Sequence, residues 1–314
     1  MNKQKCAIIG CGFVGSSIAF NLMNSGMFSE MVLIDVCKEK AQGEAMDLNH
    51  GISFTSPMKI YSGDYSDLAD CSIVIITAGA NQKPDETRLD LVSKNIAIYK
   101  KIIPQIVEVN KECILLVVSN PVDILTYAAI KISGFDSSRV IGSGTVLDTA
   151  RLKYLLGDHL GVDNRSVHAF IIGEHGDSEL AVWSSANVSG IDLDDFCEIS
   201  GKCHDSTFRK LFEEVRDSAY SVIEKKGATY YAIAMAVRRI VKAIIRDENS
   251  IMPVSCMPRG HYGIDDVCIG IPAIVGAGGI KEILDIRLDE AENKQLAESV
   301  MKLKSVIAEI DFEC

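Results

Sequence analysis

The chain has 314 residues, of which 47% are hydrophobic and 24% are charged, and its formal net charge is −11. This length and composition suit a globular protein of about two domains with sizeable cores. The acidic charge argues against a surface that binds nucleic acid or an anionic membrane, and no segment has the ~18 apolar residues of a membrane span.

The first predicted unit is a strand, a helix and a second strand. The apolar run Cys6–Ile9 suits a buried parallel strand, and a G-x-G-x-x-G follows it at Gly10–Gly15. A helical apolar pattern then leads to a second strand, Met31–Ile34, which ends in Asp35, 20 residues after the last glycine of the motif. This order and spacing predict a dinucleotide site, whereas the glycine motif alone would be equally consistent with a simple turn.

Each part of this unit has an expected task. Gly10 permits the tight turn, Gly12 lets the backbone approach the pyrophosphate, and Gly15 lets the helix pack closely on the strand. The helix N-terminus, including Phe13 and Val14, offers free N–H groups to the phosphates. Asp35 would bond the adenosine ribose and repel a 2′-phosphate, so the expected cofactor is NAD; the alternative, an NADP-linked enzyme, is disfavoured.

Strands continue to alternate with helices as far as residue 144, which predicts an α/β fold with a doubly wound parallel sheet of the Rossmann type. The further predicted strands are Met58–Ser62, Ser72–Thr77, Cys113–Val118 and Arg139–Gly142. Ligands of such sheets bind beyond the carboxyl ends of the strands. The cofactor-binding candidates at these ends are Thr77, Ala78, Gly79, Val118, Asn120 and Ser143. Residues 1–144 are therefore predicted to be an NAD-binding domain.

A polar segment, Ala80–Arg88, joins the fourth strand to a long predicted helix. It contains Pro84 and lies at a strand end, so a mobile lid over the site is one interpretation. A solvated connection with no other task is the alternative, and composition alone favours it.

The pattern changes after residue 145, and residues 145–314 are predicted to be a second, mixed α+β domain. Its predicted elements are a helix at Val146–Leu156, strands at Val167–Ile172 and Glu179–Val188, a helical region at Ser206–Arg246 broken at Gly227, short strands at Met252–Cys256 and Asp266–Pro272, and a final helix at Asp289–Ile310.

Three residues of this second half are candidates for chemistry. Asp148 and Arg151 are three apart on one predicted helix and share a face, and His175 lies in a glycine-flanked turn between two strands. Taken singly, a surface ion pair and a structural histidine are the favoured interpretations of these residues.

The ten cysteines do not form a C-x-x-C pair. Cys197 and Cys203-His204 come closest to the spacing of metal ligands, but scattered structural cysteines are the favoured interpretation, so no metal is expected. Many cysteines without a disulfide framework indicate a reducing, cytoplasmic location.

Four motifs together resemble the L-lactate/L-malate dehydrogenase family. They are Gly10–Gly15, Ser119-Asn120-Pro121-Val122-Asp123, Gly142-Ser143-Gly144-Thr145-Val146-Leu147-Asp148-Thr149-Ala150-Arg151 and Gly173-Glu174-His175-Gly176-Asp177-Ser178. The resemblance covers essentially the whole chain, and the combination is far more specific than any one motif. It implies an NAD-dependent oxidoreductase that acts on 2-hydroxy acids.

The resemblance also implies a role for each matched residue. His175 would exchange the proton with the substrate oxygen, and Asp148 would raise the pKa of that histidine. Arg151 would clamp the substrate carboxylate, and Arg88 would polarise the carbonyl when the lid closes. Asn120 would contact the substrate or the nicotinamide ribose, and Ile233 would pack on the nicotinamide ring.

The choice between lactate and malate depends on Gln82. Malate-type members have an arginine at this position, which pairs with the second carboxylate of oxaloacetate, whereas Gln82 is neutral. Thr229 matches the lactate-type residue beside the small substrate side chain. These residues favour pyruvate/L-lactate, as in fermentation at the end of glycolysis; Lys83 could weaken the discrimination. The alternatives are a malate dehydrogenase, a dehydrogenase of bulkier 2-hydroxy acids, and a non-catalytic NAD-binding module.

Regulation by fructose bisphosphate is a further expectation from the resemblance. Bacterial lactate-type members of this length often bind it between subunits through an arginine and a histidine, and they assemble as homotetramers. This chain has the matching histidine, His168, but Lys153 replaces the arginine and loses its bidentate geometry. Activation and its absence are equally consistent with this pair.

Overall fold

The computed structural model describes residues 2–80, 87–202 and 206–312. Within these ranges, no helix is both long enough and apolar enough to span a membrane. The strands and helices in chain order are β1 (Asn2–Ile9), α1 (Phe13–Met23), β2 (Glu30–Ile34), α2 (Lys38–Gly51), β3 (Lys59–Ser62), β4 (Cys71–Ile76), α3 (Arg88–Val109), β5 (Ile114–Val117), α4 (Val122–Ser133), β6 (Val140–Gly142), α5 (Val146–Leu160), β7 (Val167–Ile172), β8 (Leu180–Val188), β9 (Ile191–Asp192), α6 (Leu193–Ser200), α7 (Thr207–Lys226), α8 (Tyr231–Ile245), β10 (Ser250–Cys256), β11 (Ile269–Gly276), β12 (Gly279–Ile283) and α9 (Glu290–Ile307).

The first six strands form the predicted parallel sheet in the order β6-β5-β4-β1-β2-β3. Strand β1 lies between β2 and β4, and Ile9 is in register with both Ile34 and Ile76. The chain leaves β1 toward β2 on one side and later returns to β4 on the other. The order therefore reverses beside β1, which is where a doubly wound sheet offers its ligand crevice. The predicted fold class is confirmed.

The parallel sheet does not end at the edge of the first half. Strands β10, β11 and β12 continue it in antiparallel pairing, because Ser255 of β10 is in register with Gly142 of β6. A Cβ on Gly142 would lie 2.7 Å from the Cβ of Ser255, so only glycine permits this approach. The sequence patterns predict that β10 and β11 belong to a second domain, and in the structure both strands extend the sheet of the first half to nine strands.

A second, three-stranded sheet of β7, β8 and β9 is antiparallel. It covers its own apolar cluster together with α5, including the fully buried Leu152, Leu156 and Ile171. A larger cluster fills the space around the nine-stranded sheet and is continuous between its parallel and antiparallel parts. The site residues between the two sheets are therefore attached to well-packed elements on both sides.

Candidate active site

Two glycines of the G-x-G-x-x-G are required by the packing of the chain itself. Gly10 has φ +103°, and a Cβ there would lie 2.5 Å from the backbone nitrogen of Ala78. A Cβ on Gly15 would lie 1.9 Å from the carbonyl oxygen of Gly10. Gly12 differs, because a Cβ there would have no protein atom within 4 Å. The open side of Gly12 agrees with a backbone that an external group approaches closely, as the pyrophosphate prediction requires.

The N-terminus of α1 begins at this open glycine. Ser16 donates the first helical hydrogen bond, to the carbonyl oxygen of Gly12 at 2.9 Å, so the N–H groups of Phe13, Val14 and Gly15 have no partner within the helix. Val14 packs against the core, while Phe13 is largely exposed and stacks on Tyr230 at 5.4 Å between ring centroids. These N–H groups and the helix dipole provide an anion site at the end of β1.

The carboxylate of Asp35 is fixed at the edge of the same loop. Its two oxygens accept hydrogen bonds from the backbone N–H of Cys11 at 2.7 Å and of Cys37 at 3.0 Å. Each oxygen keeps a second lone pair, and the residue is partly exposed. A pair of ribose hydroxyls is a suitable partner for these lone pairs, so the residues present fit NAD.

The other predicted cofactor contacts gather at neighbouring strand ends. The Thr77 hydroxyl donates to the Gly10 carbonyl at 2.6 Å, and the Ala78 amide donates to the carbonyl of Ile9 at 2.9 Å. Val118 and Ser143 follow β5 and β6, and their amides bond the adjacent strands at 2.9 Å. The structure therefore places these residues along one edge of the sheet.

Asn95 connects two of the loops at this edge, and no pattern in the sequence predicts this role. This buried side chain on α3 accepts a hydrogen bond from the amide of Ala80 at 2.7 Å and donates to the carbonyl of Asn120 at 2.8 Å. It thus links the segment after β4, near Gly79, to the loop after β5. An isolated asparagine in a helical pattern carries no signal of this task.

The three chemistry candidates of the second half are in direct contact. Asp148, which is 2% exposed, accepts a hydrogen bond from Arg151 Nη1 on Oδ1 at 2.7 Å, and its Oδ2 lies 2.6 Å from Nδ1 of His175. The shared helix face predicted for Asp148 and Arg151 is therefore a real ion pair, with His175 as a third member. One buried carboxylate orients both a proton-transfer group and a guanidinium.

The electrostatics of this cluster favour a charged histidine. Burial alone would lower the pKa of His175, but the charge of Asp148 and the hydrogen bond to it raise that pKa to about 9. Burial raises the pKa of Asp148, but the opposite charges and hydrogen bonds of His175 and Arg151 hold it below its ordinary value. At neutral pH the pair is therefore an imidazolium beside a carboxylate.

A second buried acid holds the backbone of His175. Asp123 on α4 accepts a hydrogen bond from the His175 amide at 2.8 Å and another from the Ser255 hydroxyl at 2.6 Å. Burial raises the pKa of Asp123 to about 6, although both hydrogen bonds lower it. The sequence shows the motif that contains Asp123. It does not predict that the Asp123 carboxylate bonds the loop of His175, which lies 52 residues away.

Two further contacts anchor the loop that carries His175. Gly173 exchanges backbone hydrogen bonds with Gly270 of β11 at 2.9 and 3.0 Å. The amide of Glu174 donates to the Ser299 hydroxyl on α9 at 2.7 Å. The histidine loop is therefore fixed to the nine-stranded sheet and to α9, as well as to α4 through Asp123.

The remaining predicted site residues are placed less directly. Thr229 lies in the turn between α7 and α8, and Ile233 is a partly buried residue of α8, which packs against α1. Arg88 is the first residue of α3, after the N-cap Thr87. Gln82 and Lys83 lie outside the described residues.

Lys153 and His168 are on neighbouring elements of the second half. Lys153 is a half-buried residue of α5, and burial lowers its pKa. His168 is exposed on β7, which packs against α5.

Comparison with known proteins covers both halves of the chain. Residues 4–142 match the model of the lactate/malate dehydrogenase NAD binding domain, and residues 145–313 match that of the lactate/malate dehydrogenase alpha/beta C-terminal domain. L-lactate dehydrogenase 1 of Clostridium acetobutylicum is 55% identical over 309 residues, which are 98% of this chain and 99% of that protein.

Two more relatives extend this similarity. The L-lactate dehydrogenase of Acetivibrio thermocellus is 55% identical over 310 residues, 98% of either chain. A crystal structure of the minor L-lactate dehydrogenase from Enterococcus mundtii in the ligands-bound form superposes with a TM-score of 0.96 at 43% identity, and the match covers 99% of both chains.

Proposed function

The chain belongs to the lactate/malate dehydrogenase family, and we propose that it acts as an NAD-dependent L-lactate dehydrogenase, which interconverts pyruvate and L-lactate. The observation that carries this proposal is the buried contact of His175 and Arg151 with the same carboxylate, Asp148. A proton donor and a carboxylate-binding group are thereby held side by side, as the reduction of a 2-keto acid requires.

His175 supplies the proton in this reaction. NADH, when bound, supplies the hydride to the carbonyl carbon of the substrate. Because Nδ1 of His175 is committed to Asp148, Nε2 is the ring nitrogen that donates to the carbonyl oxygen. In the reverse direction the neutral imidazole accepts the hydroxyl proton of lactate, and Asp148 stabilises the imidazolium that forms.

Arg151 binds the substrate carboxylate. One of its terminal nitrogens, Nη1, is bonded to Asp148, which fixes the plane of the guanidinium and leaves other N–H groups for the substrate. Arg88 polarises the substrate carbonyl from the beginning of α3, and Asn120 contributes a polar contact at the end of β5. These two roles rest on the family resemblance of their positions.

The cofactor site comprises the glycine loop, Asp35 and the strand ends described above. We also propose that residues 1–144 form the cofactor domain and residues 145–314 the substrate domain, a division supported by the gap between the two family models at residues 142 and 145. The antiparallel continuation of the sheet then joins the two domains.

Selection of pyruvate over oxaloacetate is assigned to Gln82 and Thr229. A dicarboxylate beside neutral Gln82 would bury an unpaired charge, whereas the methyl group of pyruvate has no such cost. The alternative is a malate dehydrogenase in which Lys83 meets the second carboxylate. The three named relatives are all called L-lactate dehydrogenases, which supports the first assignment.

The test is NADH consumption with pyruvate and with oxaloacetate. The proposal expects a clear preference for pyruvate in kcat/KM. A preference for oxaloacetate would transfer the assignment to malate, and NADH binding without turnover of either would favour a bulkier substrate or a non-catalytic module.

Assembly and regulation are further parts of the proposal. We propose a cytoplasmic homotetramer that binds fructose bisphosphate through Lys153 and His168, supported by the position of these residues on packed neighbouring elements. Sedimentation and pyruvate kinetics with and without fructose bisphosphate test it. An unchanged KM for pyruvate together with an unchanged assembly would exclude the regulatory site.

A further inference from the structure

Glu179 is a buried acid for which the mechanism above has no use. This residue is 8% exposed and lies immediately before β8. Its Oε1 is one of three buried side-chain polar atoms without a hydrogen-bond partner within the described part of the chain. A carboxylate in such surroundings is costly unless it carries a proton or has an opposite charge nearby.

The catalytic pair lies next to this acid. Carboxylate oxygens of Glu179 and Asp148 and a ring nitrogen of His175 all lie within 4.8 Å of one another. The two oxygens of Asp148 are bonded to Arg151 and to His175, so Asp148 has stabilising partners that Glu179 lacks. Glu179 is thus the acid of this cluster that is best suited to hold a proton.

The charged groups around the cluster lie on three helices. Asp148 and Arg151 face it from α5, and Arg216 from α7 acts on Glu179. Asp123 faces His175 from α4. The positive groups favour the carboxylate form of Glu179, and the negative groups favour the imidazolium form of His175.

We propose that Glu179 is a positioning residue which holds a proton beside the catalytic pair and, once it has released that proton to solvent, stabilises the imidazolium of His175. Glu179 and His175 then titrate as a coupled pair, and both determine the alkaline limit of pyruvate reduction. This inference rests on the proposed lactate dehydrogenase function only for its kinetic consequence.

The predicted order of proton release follows from the surroundings of each group. Burial, and next the charge of Asp148, raise the pKa of Glu179 to about 8, against the opposing charges of His175, Arg151 and Arg216. The charge of the Glu179 carboxylate is one of the causes that keep the pKa of His175 at about 9. With rising pH, Glu179 therefore loses its proton first, and His175 keeps its own longer than it would beside a neutral side chain.

Glu179→Gln tests this coupling, because glutamine has the same shape and does not ionise. The His175 titration is followed by NMR of protein labelled at the histidine ring carbons and assigned with a His175→Asn variant, among six histidines. Since an opposite charge at this range raises a pKa by about one unit or more, the midpoint is expected to move at least that far to lower pH. The alkaline limb of kcat/KM for pyruvate should move with it. Glu282→Gln, the same change on the exposed face of β12, is the control and should leave both unchanged.

An infrared titration of the wild type provides a second measurement. A protonated carboxyl band should disappear near pH 8 in the wild type and be missing from Glu179→Gln. An unchanged His175 midpoint in a folded Glu179→Gln, or a wild type without that band, overturns the inference. If the wild type does not reduce pyruvate, the proposed function fails, while the NMR comparison still decides the coupling.

Discussion

The contact between His175 and Asp148 makes a quantitative prediction for Asp148→Asn. An unperturbed histidine has a pKa of 6.5, and the pKa of about 9 for His175 corresponds to ~3 kcal/mol of extra preference for the imidazolium. Asparagine keeps the shape of the side chain but removes the charge, while the burial that lowers the pKa remains. Burial opposes the remaining charges of Glu179 and Asp123, so the pKa of His175 in the variant should fall to about 6.5.

The consequence for pyruvate reduction grows with pH. At pH 7 the imidazolium fraction should fall from nearly all to about a quarter or less, and at pH 9 from about half to below ~1%. The loss of kcat/KM from protonation alone is then ~4-fold at pH 7 and ~100-fold at pH 9, in addition to a loss from poorer orientation. Lactate oxidation needs neutral His175, so the acidic limb of its kcat/KM should move to lower pH together with the alkaline limb of pyruvate reduction.

The assay is kcat/KM in both directions between pH 5 and 10, with NADH or NAD saturating. Asp158→Asn is a matched control, because Asp158 is an exposed aspartate on the same helix, α5. An orientation defect lowers kcat/KM at every pH without moving the limbs of the pH profiles, so the pH of these limbs isolates the pKa of His175. An alkaline limb that stays near pH 9 in Asp148→Asn would refute the electrostatic reasoning.

Three other substitutions test substrate and cofactor recognition. Gln82→Arg should raise kcat/KM for oxaloacetate relative to pyruvate by ~100-fold or more, because the second carboxylate gains a partner. Steady-state kinetics with both substrates measures this ratio, and an unchanged ratio would contradict the prediction. Asp35→Ser should raise the KM for NADH ~10-fold, because a charged hydrogen-bond acceptor is lost, and should lower the KM for NADPH, because a repulsive charge is lost. The KM values for both cofactors, measured by titration, test this prediction. Arg151→Lys should lower kcat/KM for pyruvate by ~10- to 100-fold with intact folding, because lysine lacks the planar, forked donors; equal activity would exclude a bidentate clamp.

Local patterns were sufficient to predict the first half of the fold. Strands β1, β2, β4 and β5 are apolar runs that end at glycine or polar residues, and their alternation with helices is typical of a doubly wound parallel sheet. The helix break at Gly227 was also predictable, since this residue ends α7 at φ +85°.

The joining of the two halves into one sheet was not predictable from local patterns. Strand β10 pairs with β6, although more than a hundred residues separate Ser255 from Gly142. An apolar run shows that a strand is buried, but the identity of its neighbour depends on close approaches such as the glycine contact at this position. Pairing over such a distance leaves no periodic signal.

The same limit applies to the residues that support the active site. His175, Asp148 and Arg151 lie in motifs that match the family at every position quoted. The family resemblance therefore predicts their roles without any knowledge of their contacts. Asp123 lies in a motif that gave it no role and Glu179 lies outside the motifs, so only their burial close to His175 gives them significance.

The arrangement of these three acids explains why their protonation states differ. Asp148 has the imidazolium and a guanidinium as partners, and its pKa is lowered. Among the described residues, Asp123 accepts hydrogen bonds from neutral donors, and burial raises its pKa to about 6; Glu179, whose Oε1 has no donor there, has its pKa raised to about 8 by burial and by the charge of Asp148. At neutral pH Asp148 and Asp123 are therefore mainly anions, whereas Glu179 mainly holds its proton. Of the two anions, Asp148 is the one that contacts the ring of His175, so the imidazolium forms opposite a fixed charge.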